Sequence, residues 1–119
     1  MSKKIYDVVC LRPEADFLKV GVTPPEELSI IYIAPDDEKL NELVNQAQAI
    51  VMPAVGPKLN GSLFEDSAVQ LVQVTGAGVD RLDQAAMEEF GIAVANVAGG
   101  SNSALAEYAV ACALTLHRR

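Results

Sequence analysis

The stretch VQLVQVTGAGVDRLD, residues 69–83, decides the fold that this 119-residue chain is predicted to adopt. Residues 69–74 form an apolar, valine-rich run of strand length, and Gly76-Ala77-Gly78 ends that run in a turn. Asp83 is then placed to act as the N-cap of a short helix, and Gly91 is placed to end that helix in a left-handed conformation. A strand, a glycine turn and a helix in this order are typical of a parallel α/β sheet.

The same alternation of strand and helix extends from this stretch toward both ends of the chain. Strands are predicted at residues 5–11, 28–34, 49–52, 69–74 and 92–97, and helices at 14–19, 36–46, 60–67, 83–90 and 101–119. Asp36 is the predicted N-cap of the second helix, and Ala47 closes the apolar stripe of that helix. We therefore predict a flavodoxin-like α/β fold, with a doubly wound five-stranded parallel sheet of order 2-1-3-4-5 in three layers.

The composition is that of one globular domain, since 50% of the residues are hydrophobic, 21% are charged and the net charge is −7. A nucleic-acid partner is not expected, because phosphate binding needs clustered lysine and arginine. The first five residues, MSKKI, lack the apolar core of a signal peptide, and no run is long enough to span a membrane. We therefore expect a cytoplasmic protein without a membrane partner.

The cysteines and the histidine form no catalytic or metal-binding pattern. Cys10 and Cys112 lie in apolar surroundings without metal-ligand spacing, so both are predicted to be buried free thiols. His117 is the only histidine and stands beside two arginines at the end of the last helix, where we expect it at the surface. No metal site and no nucleophile–histidine pair is predicted.

Two glycine-containing loops are the candidate ligand sites, because open parallel sheets bind ligands beyond the carboxyl ends of their strands. Gly76-Ala77-Gly78 would expose main-chain N–H groups, although Arg81 stands where the third glycine of a G-x-G-x-x-G fingerprint would fall. Residues 99–103 precede the last helix, whose free N–H groups suit an anion or a carboxamide. From the residues alone, each loop is open to two interpretations: a ligand site, or a purely structural turn or cap.

The last helix is predicted to be apolar around most of its circumference. Its stripe is formed by Leu105, Ala109, Cys112 and Leu116 and is widened by Val110, Ala113 and Leu114. Such a helix needs cover on more than one side, so we expect a further domain or a second subunit to pack against it.

Three segments of the chain resemble the D-isomer-specific 2-hydroxyacid dehydrogenases, the group that contains D-3-phosphoglycerate dehydrogenase and formate dehydrogenase. Residues 51–63 resemble the family's first substrate loop and the helix after it, and residues 76–83 resemble its G-x-G-v-D-x-x-D turn. Residues 92–97 and 101–119 resemble its next strand and the A-E helix that crosses to the cofactor domain. Order and spacing agree for all three, which makes the resemblance much more specific than one glycine motif.

This resemblance implies a flavodoxin-like substrate-binding domain over residues 1–100 and a crossing helix over residues 101–119. The helix would lead to a nucleotide-binding domain that is missing here, as are the family's catalytic residues and its dinucleotide fingerprint. The assembled enzyme would transfer hydride between NAD or NADP and a 2-hydroxy or 2-oxo acid. This chain alone is expected to bind neither cofactor tightly and to be inactive, so no catalytic residue is assigned to it.

The resemblance also implies which residues face the ligands. Main-chain N–H groups would hold the carboxylate of the small substrate, and the residues concerned are Ala54, Val55, Gly56, Ala77 and Gly78. Ser101 aligns with an asparagine that is frequent in the family and is a further substrate-binding candidate, while Ala77 and Asn102 are the cofactor-binding candidates. Some members have arginine or serine where this chain has Pro53-Ala54, so a phosphorylated substrate is less expected.

Two alternatives stay open beside the dehydrogenase domain. The chain could be a stand-alone flavodoxin-like module that binds a small carboxylate, or itself, without catalysis. Its apolar last helix would then join it into a homo-oligomer, for instance by exchange of that helix between subunits. The chain could also be a fragment that still folds but has no present function.

Overall fold

The computed structural model describes residues 6–118 and contains a five-stranded, all-parallel sheet of order β2-β1-β3-β4-β5. The strands are β1 Tyr6–Cys10, β2 Ile30–Tyr32, β3 Ala47–Met52, β4 Leu71–Val74 and β5 Ala93–Ala95. This confirms the predicted fold class and strand order. The edge strands β2 and β5 are shorter than predicted, because each has a neighbouring strand on one side only and its ends are unpaired.

Helices connect the strands on both faces of the sheet. They are α1 Glu14–Lys19, α2 Leu40–Asn45, a 3₁₀ helix Gly61–Phe64, α3 Gln84–Glu89 and α4 Asn102–Arg118. Phe17 of α1 lines a groove together with Val8 and Cys10 on one face of the sheet. The helices α2 and α3 and the 3₁₀ helix cover the other face, so the three predicted layers are present.

The hydrophobic core lies between the sheet and this second group of helices. Alternate residues of a strand point to opposite faces, and those on the core side of β1, β3 and β4 are almost fully buried. They are Val9, Ile50, Met52, Val72 and Val74, and they pack with Val44, Phe64 and Met87 from the helices. This packing fixes the register of β3 and β4, and therefore fixes where the loops after them begin.

The beginning of α2 differs from the prediction. The helix starts at Leu40 rather than near Asp36, and its N-cap position is occupied by Lys39 without a side-chain hydrogen bond. The Asp37 carboxylate accepts a hydrogen bond from the Lys39 N–H at 2.8 Å, which forms a local turn in place of the first helical turn. The predicted Asp36 cap is therefore wrong. Ala47 is also not helical, because it begins β3.

Both predicted boundaries of α3 are confirmed. The Asp83 carboxylate accepts a hydrogen bond from the Ala86 N–H at 3.1 Å, as an N-cap side chain should. Gly91 has a φ of +67° immediately after the helix, in the left-handed region that favours glycine. The segment after the glycine turn was therefore interpreted correctly from sequence.

The helix α4 extends away from the sheet, and every residue from Asn102 to Arg118 is exposed. The described chain measures 63 × 33 × 24 Å and has a radius of gyration of 17.1 Å. A compact domain of this length would have a radius of gyration of about 13.5 Å. Cys10 is buried as predicted, but the prediction that Cys112 is buried is wrong, because Cys112 lies on this projecting helix.

Candidate functional site

Two loops meet at the carboxyl ends of β3 and β4. We call residues 53–57 the first loop and residues 75–80 the glycine turn. Met52 and Val74 are paired in the parallel ladder, so the two loops leave the sheet side by side. The Thr75 N–H donates to the Met52 carbonyl oxygen at 2.9 Å and continues that pairing by one residue. This is the edge of the sheet at which a parallel α/β fold binds ligands.

Close packing requires glycine at position 76 of the glycine turn, and leaves little space at position 78. Neither Gly76 nor Gly78 has a positive φ, so their backbone conformation is open to other residues. A Cβ atom on Gly76 would lie 2.9 Å from the Cβ of Ala54, closer than two such atoms approach. A Cβ atom on Gly78 would lie 3.0 Å from Oδ1 of Asp80. The missing side chain at Gly76 therefore allows the turn to touch the first loop.

The main-chain N–H groups of the two loops are unusual in their hydrogen bonding. Within residues 6–118, no N–H group of residues 54–56 or 76–78 donates a hydrogen bond. Buried or half-buried N–H groups are normally paired with protein or with water. Ala54, Gly76 and Gly78 are partly buried, so a set of unpaired donors at this edge is the main feature of the site.

Two side chains and one main-chain group hold the glycine turn in place. Asn96 Nδ2 donates to the Ala77 carbonyl oxygen at 2.8 Å, and the Val97 N–H donates to the Gly76 carbonyl oxygen at 2.9 Å. Arg12 Nη1 donates to Thr75 Oγ1 at 3.3 Å. Because a trans peptide directs its C=O and N–H to opposite sides, the first two bonds turn the N–H groups of Ala77 and Gly78 away from β5.

Arg81 is a buried residue whose role the sequence did not predict. Its side chain is only 4% exposed and donates to three carbonyl oxygens of the first loop. Nε donates to Pro57 O at 2.9 Å, and Nη1 donates to Pro53 O at 2.7 Å and to Val55 O at 3.2 Å. Burial lowers the pKa of the Arg81 guanidinium, which remains protonated because arginine does not titrate in proteins. Its partners are main-chain carbonyl oxygens. Every residue has one, so residue types in the sequence do not identify these partners.

Gly56 is the residue of the first loop that accommodates this guanidinium. Its φ of +145° is a conformation that residues with a side chain rarely adopt. A Cβ atom there would lie 2.7 Å from Cζ of Arg81 and 2.8 Å from Nη2. Backbone conformation and space therefore both require glycine at this position.

Ser101 and Asn102 are separate from the two loops in their hydrogen bonding. Both are exposed at the start of α4, where the Asn102 N–H donates to the Gly99 carbonyl oxygen at 3.3 Å. Within the described residues, neither makes a hydrogen bond to the first loop or the glycine turn. The structure thus brings five of the predicted site residues together and leaves these two on the following segment. The five are Ala54, Val55, Gly56, Ala77 and Gly78.

A polar cavity of about 570 Å³ is lined by residues 58–61 and 81–84, which follow the first loop and the glycine turn in sequence. An apolar groove of about 230 Å³ lies between α1 and the sheet, and is lined by Phe17, Tyr32 and neighbouring apolar residues rather than by either loop. Among residues 6–118, no three histidine, cysteine or acidic side chains are grouped as a metal site. Within the same residues, no helix has the length and apolar character to cross a bilayer.

Sequence comparisons relate the chain to one group of enzymes. A family model described as "D-isomer specific 2-hydroxyacid dehydrogenase, catalytic domain" matches residues 5–118. Erythronate-4-phosphate dehydrogenase of Cellvibrio japonicus (strain Ueda107) is 37% identical over 78 residues, which is 64% of this chain and 20% of that enzyme. The enzyme of the same name from Acinetobacter baumannii (strain AYE) is 37% identical over 73 residues, or 61% of this chain and 20% of that enzyme. The chain therefore spans about one fifth of the length of these curated relatives.

Solved dehydrogenases share the fold. NAD-dependent formate dehydrogenase from Staphylococcus aureus, solved in complex with NAD, has a TM-score of 0.72 and 22% identity, and the match covers 91% of this chain and 37% of that one. D-lactate dehydrogenase from Aquifex aeolicus, complexed with NAD and lactic acid, has a TM-score of 0.73 and 21% identity, over 92% of this chain and 33% of that one. At such identities the likeness concerns the fold alone.

Proposed function

This chain belongs to the D-isomer specific 2-hydroxyacid dehydrogenase family through its catalytic domain, and we propose that its two loops bind the carboxylate of a 2-hydroxy or 2-oxo acid. The observation that carries this proposal is the set of unpaired N–H groups at residues 54–56 and 76–78. Hydrogen bonds from N–H groups to an ionised acceptor are shorter and stronger than those between neutral groups. Successive N–H groups in a turn form a concave anion site without any basic side chain.

In the assembled enzyme, residues 1–100 would form the substrate half of the cleft and residues 101–119 the helix that leads to a nucleotide-binding domain. NAD or NADP would supply or accept the hydride there. Ala77 is exposed and carries only a methyl group, so a flat nicotinamide ring can approach it, and Asn102 is the other residue proposed to face the cofactor. Ser101 is proposed to contact the substrate from the same segment. The described loops orient the acid, and we assign no proton transfer to them.

The kind of acid is also a proposal. The curated relatives are named for erythronate 4-phosphate, and they match this chain over only a fifth of their length. Pro53 and Ala54 offer the first loop no side-chain hydrogen-bond donor for a phosphate. We therefore propose an unphosphorylated substrate, a point that a competition experiment can decide directly.

Equilibrium dialysis with radiolabelled pyruvate tests the proposed binding. We expect saturable binding that D-lactate displaces and that pyruvamide, which has no carboxylate, does not displace. Erythronate 4-phosphate should compete no better than erythronate if the substrate is unphosphorylated. The absence of saturable binding, or equal displacement by pyruvamide, would count against a carboxylate site.

The chain alone is proposed to be inactive and to bind NAD or NADP weakly. It has no G-x-G-x-x-G fingerprint for the diphosphate of a dinucleotide. Mixing the pure chain with NADH and a panel of 2-oxo acids should leave the absorbance at the NADH band unchanged. Oxidation of NADH in proportion to the chain concentration would refute this part of the proposal.

A second candidate function is self-association without catalysis, and a specific observation favours it. Large apolar side chains of α4 are exposed along its whole length, including Leu105, Tyr108, Val110, Leu114 and Leu116. An exposed apolar surface of this extent marks an interaction site. We propose that a second copy of the chain, or the nucleotide-binding domain of the assembled enzyme, covers it. Sedimentation velocity over a range of concentrations distinguishes a homo-oligomer from a monomer.

A further inference from the structure

Arg81 combines burial, a positive charge and an unusual set of partners. It follows the glycine turn in sequence, yet its guanidinium reaches back to the first loop and donates there to main-chain carbonyl oxygens only. The three carbonyl oxygens that it binds belong to alternate residues of that loop, namely Pro53, Val55 and Pro57. One cation therefore holds every second peptide carbonyl of the first loop on a single side.

The geometry of the peptide bond also determines where the N–H groups of the first loop point. The described chain has no cis peptide bond, and in a trans peptide the N–H points opposite to the C=O of the preceding residue. With the carbonyls of Pro53 and Val55 directed at Arg81, the N–H groups of Ala54 and Gly56 point to the opposite side. If Gly76 carried a Cβ atom, that atom would lie 3.9 Å from the main-chain nitrogen of Ala54. This nitrogen therefore lies near the glycine turn.

We propose that Arg81 is a positioning residue for the substrate carboxylate, which aims the N–H groups of Ala54 and Gly56 into the gap between the two loops. The inference rests on the proposed function of these loops, and Arg81 itself does not contact the acid. The buried charge holds three carbonyl dipoles that would otherwise be free to turn, so the donors are oriented before the substrate arrives. Preorganised donors bind without a cost for ordering the loop on binding.

The chemistry of this role requires arginine. Its guanidinium is a planar fork with five N–H donors, and here Nε and Nη1 act on different carbonyls at the same time. The ammonium group of lysine carries the same charge on one atom and cannot span the same set of acceptors. Nη2 is buried and has no partner in the described part of the chain, and it lies against Gly56, whose missing side chain makes room for it.

The test compares Arg81→Lys with a matched core variant, Val44→Ala. Val44 is fully buried in α2 and belongs to neither loop, so its truncation lowers stability without removing a residue of the site. We expect Arg81→Lys to raise the Kd for pyruvate about tenfold, the loss that corresponds to about one hydrogen bond to a charged group. Val44→Ala should lower the thermal midpoint while leaving the Kd within about twofold of the unmodified chain.

Each outcome decides the inference. If Arg81→Lys binds pyruvate as tightly as the unmodified chain, Arg81 does not position the donors, although the carboxylate site itself stands. If Val44→Ala weakens binding as much as Arg81→Lys, Arg81 acts through general stability only. If the unmodified chain does not bind pyruvate, the proposed function fails and the positioning role fails with it.

A measurement on the unmodified chain covers the case in which Arg81→Lys does not fold. The ¹⁵N signals of the Arg81 guanidinium report its rotation, and a guanidinium held by three carbonyls should show separate, slowly exchanging Nη1 and Nη2 signals. It should keep them when pyruvate is added. A single averaged Nη signal while pyruvate is bound would show that the group rotates freely, and would overturn the inference.

Discussion

At the scale of single residues, space rather than backbone strain explains the glycine at position 76. Its φ is not positive, whereas a Cβ atom there would meet the Cβ of Ala54 at 2.9 Å. The sequence left open whether this glycine only turns the chain or lets a ligand reach the backbone. The packing shows that it lets the glycine turn approach the first loop, which brings the unpaired N–H groups of both loops together.

Gly76→Ala should therefore separate the two loops. Overpacking of this kind is expected to lower the free energy of unfolding by about 1–3 kcal/mol and to weaken pyruvate binding. The matched control is Gly100→Ala, since a Cβ atom at Gly100 would lie 3.7 Å from Val97, an ordinary contact. Urea unfolding and equilibrium dialysis measure the two effects. Equal behaviour of the two variants would contradict the proposed close packing.

Cys10 makes stability depend on pH. Burial raises the pKa of the Cys10 thiol above its ordinary value, and the hydrogen bond to the main chain of Arg12 and the positive charge of Arg12 oppose that shift only in part. The unfolded chain therefore loses this proton at a lower pH than the folded chain does. Its stabilising contribution is complete below about pH 8.5 and is lost as the pH rises through the raised pKa of the folded state.

Unfolding measured between pH 7 and pH 10 should thus show a fall in stability above about pH 8.5. Cys10→Ala should lower stability at every pH because it leaves a cavity, yet its curve should be flatter in this window. Burial, together with the negative charges of Glu14 and Cys10, also raises the pKa of Tyr32, whose effect begins at higher pH. If the stability of Cys10→Ala fell with pH as steeply as that of the unmodified chain, the Cys10 thiol would not be the cause of the fall.

At the scale of secondary structure elements, the sequence predicted how the chain alternates but not every boundary. The strand order, the glycine turn and the helix after it follow from local signals such as Asp83 and Gly91, which act on their immediate neighbours. The start of α2 does not, because Asp37 accepts from the Lys39 N–H in a local turn and the helix begins only at Leu40, with neither Asp36 nor Asp37 as its cap. Arg81 was missed because its acceptors are carbonyl oxygens 24 to 28 residues away.

The two acidic residues that were predicted as caps provide a direct comparison. Asp83→Ala removes the acceptor of the Ala86 N–H and should lower the free energy of unfolding by about 1 kcal/mol. Asp36 is exposed and makes no capping hydrogen bond in the described chain, so Asp36→Ala should change stability by less than about 0.5 kcal/mol. Thermal unfolding of both variants checks this. If Asp36→Ala lowered the free energy of unfolding by more than this, Asp36 would act as a cap, as the sequence predicted.

At the scale of the whole molecule, α4 carries large apolar side chains that are exposed along its length. Its composition predicted that something must pack against it, and the structure shows every described residue of the helix exposed. Sequence could not specify the partner, because an apolar stripe fits a second copy and a nucleotide-binding domain equally well. Cys112 lies within this stripe, so the reactivity of its thiol shows whether a partner covers the helix.

If a second copy covers α4, the rate at which iodoacetamide labels Cys112 should fall as the protein concentration rises. The sedimentation coefficient should rise over the same range. Cys10 serves as the internal control, because its burial in the sheet is independent of concentration and it should react slowly throughout. A constant labelling rate together with a monomer mass at all concentrations would argue against self-association.

The most direct test of the carboxylate site is an amide-resolved NMR titration of the ¹⁵N-labelled chain with pyruvate. We expect the largest shift changes at the N–H groups of residues 54–56, 77 and 78, with saturation, and little change when pyruvamide replaces pyruvate. Such a result would identify the two loops as the carboxylate-binding edge of the sheet. Saturable changes that fall elsewhere, such as the groove beneath α1, or no changes at all, would contradict it.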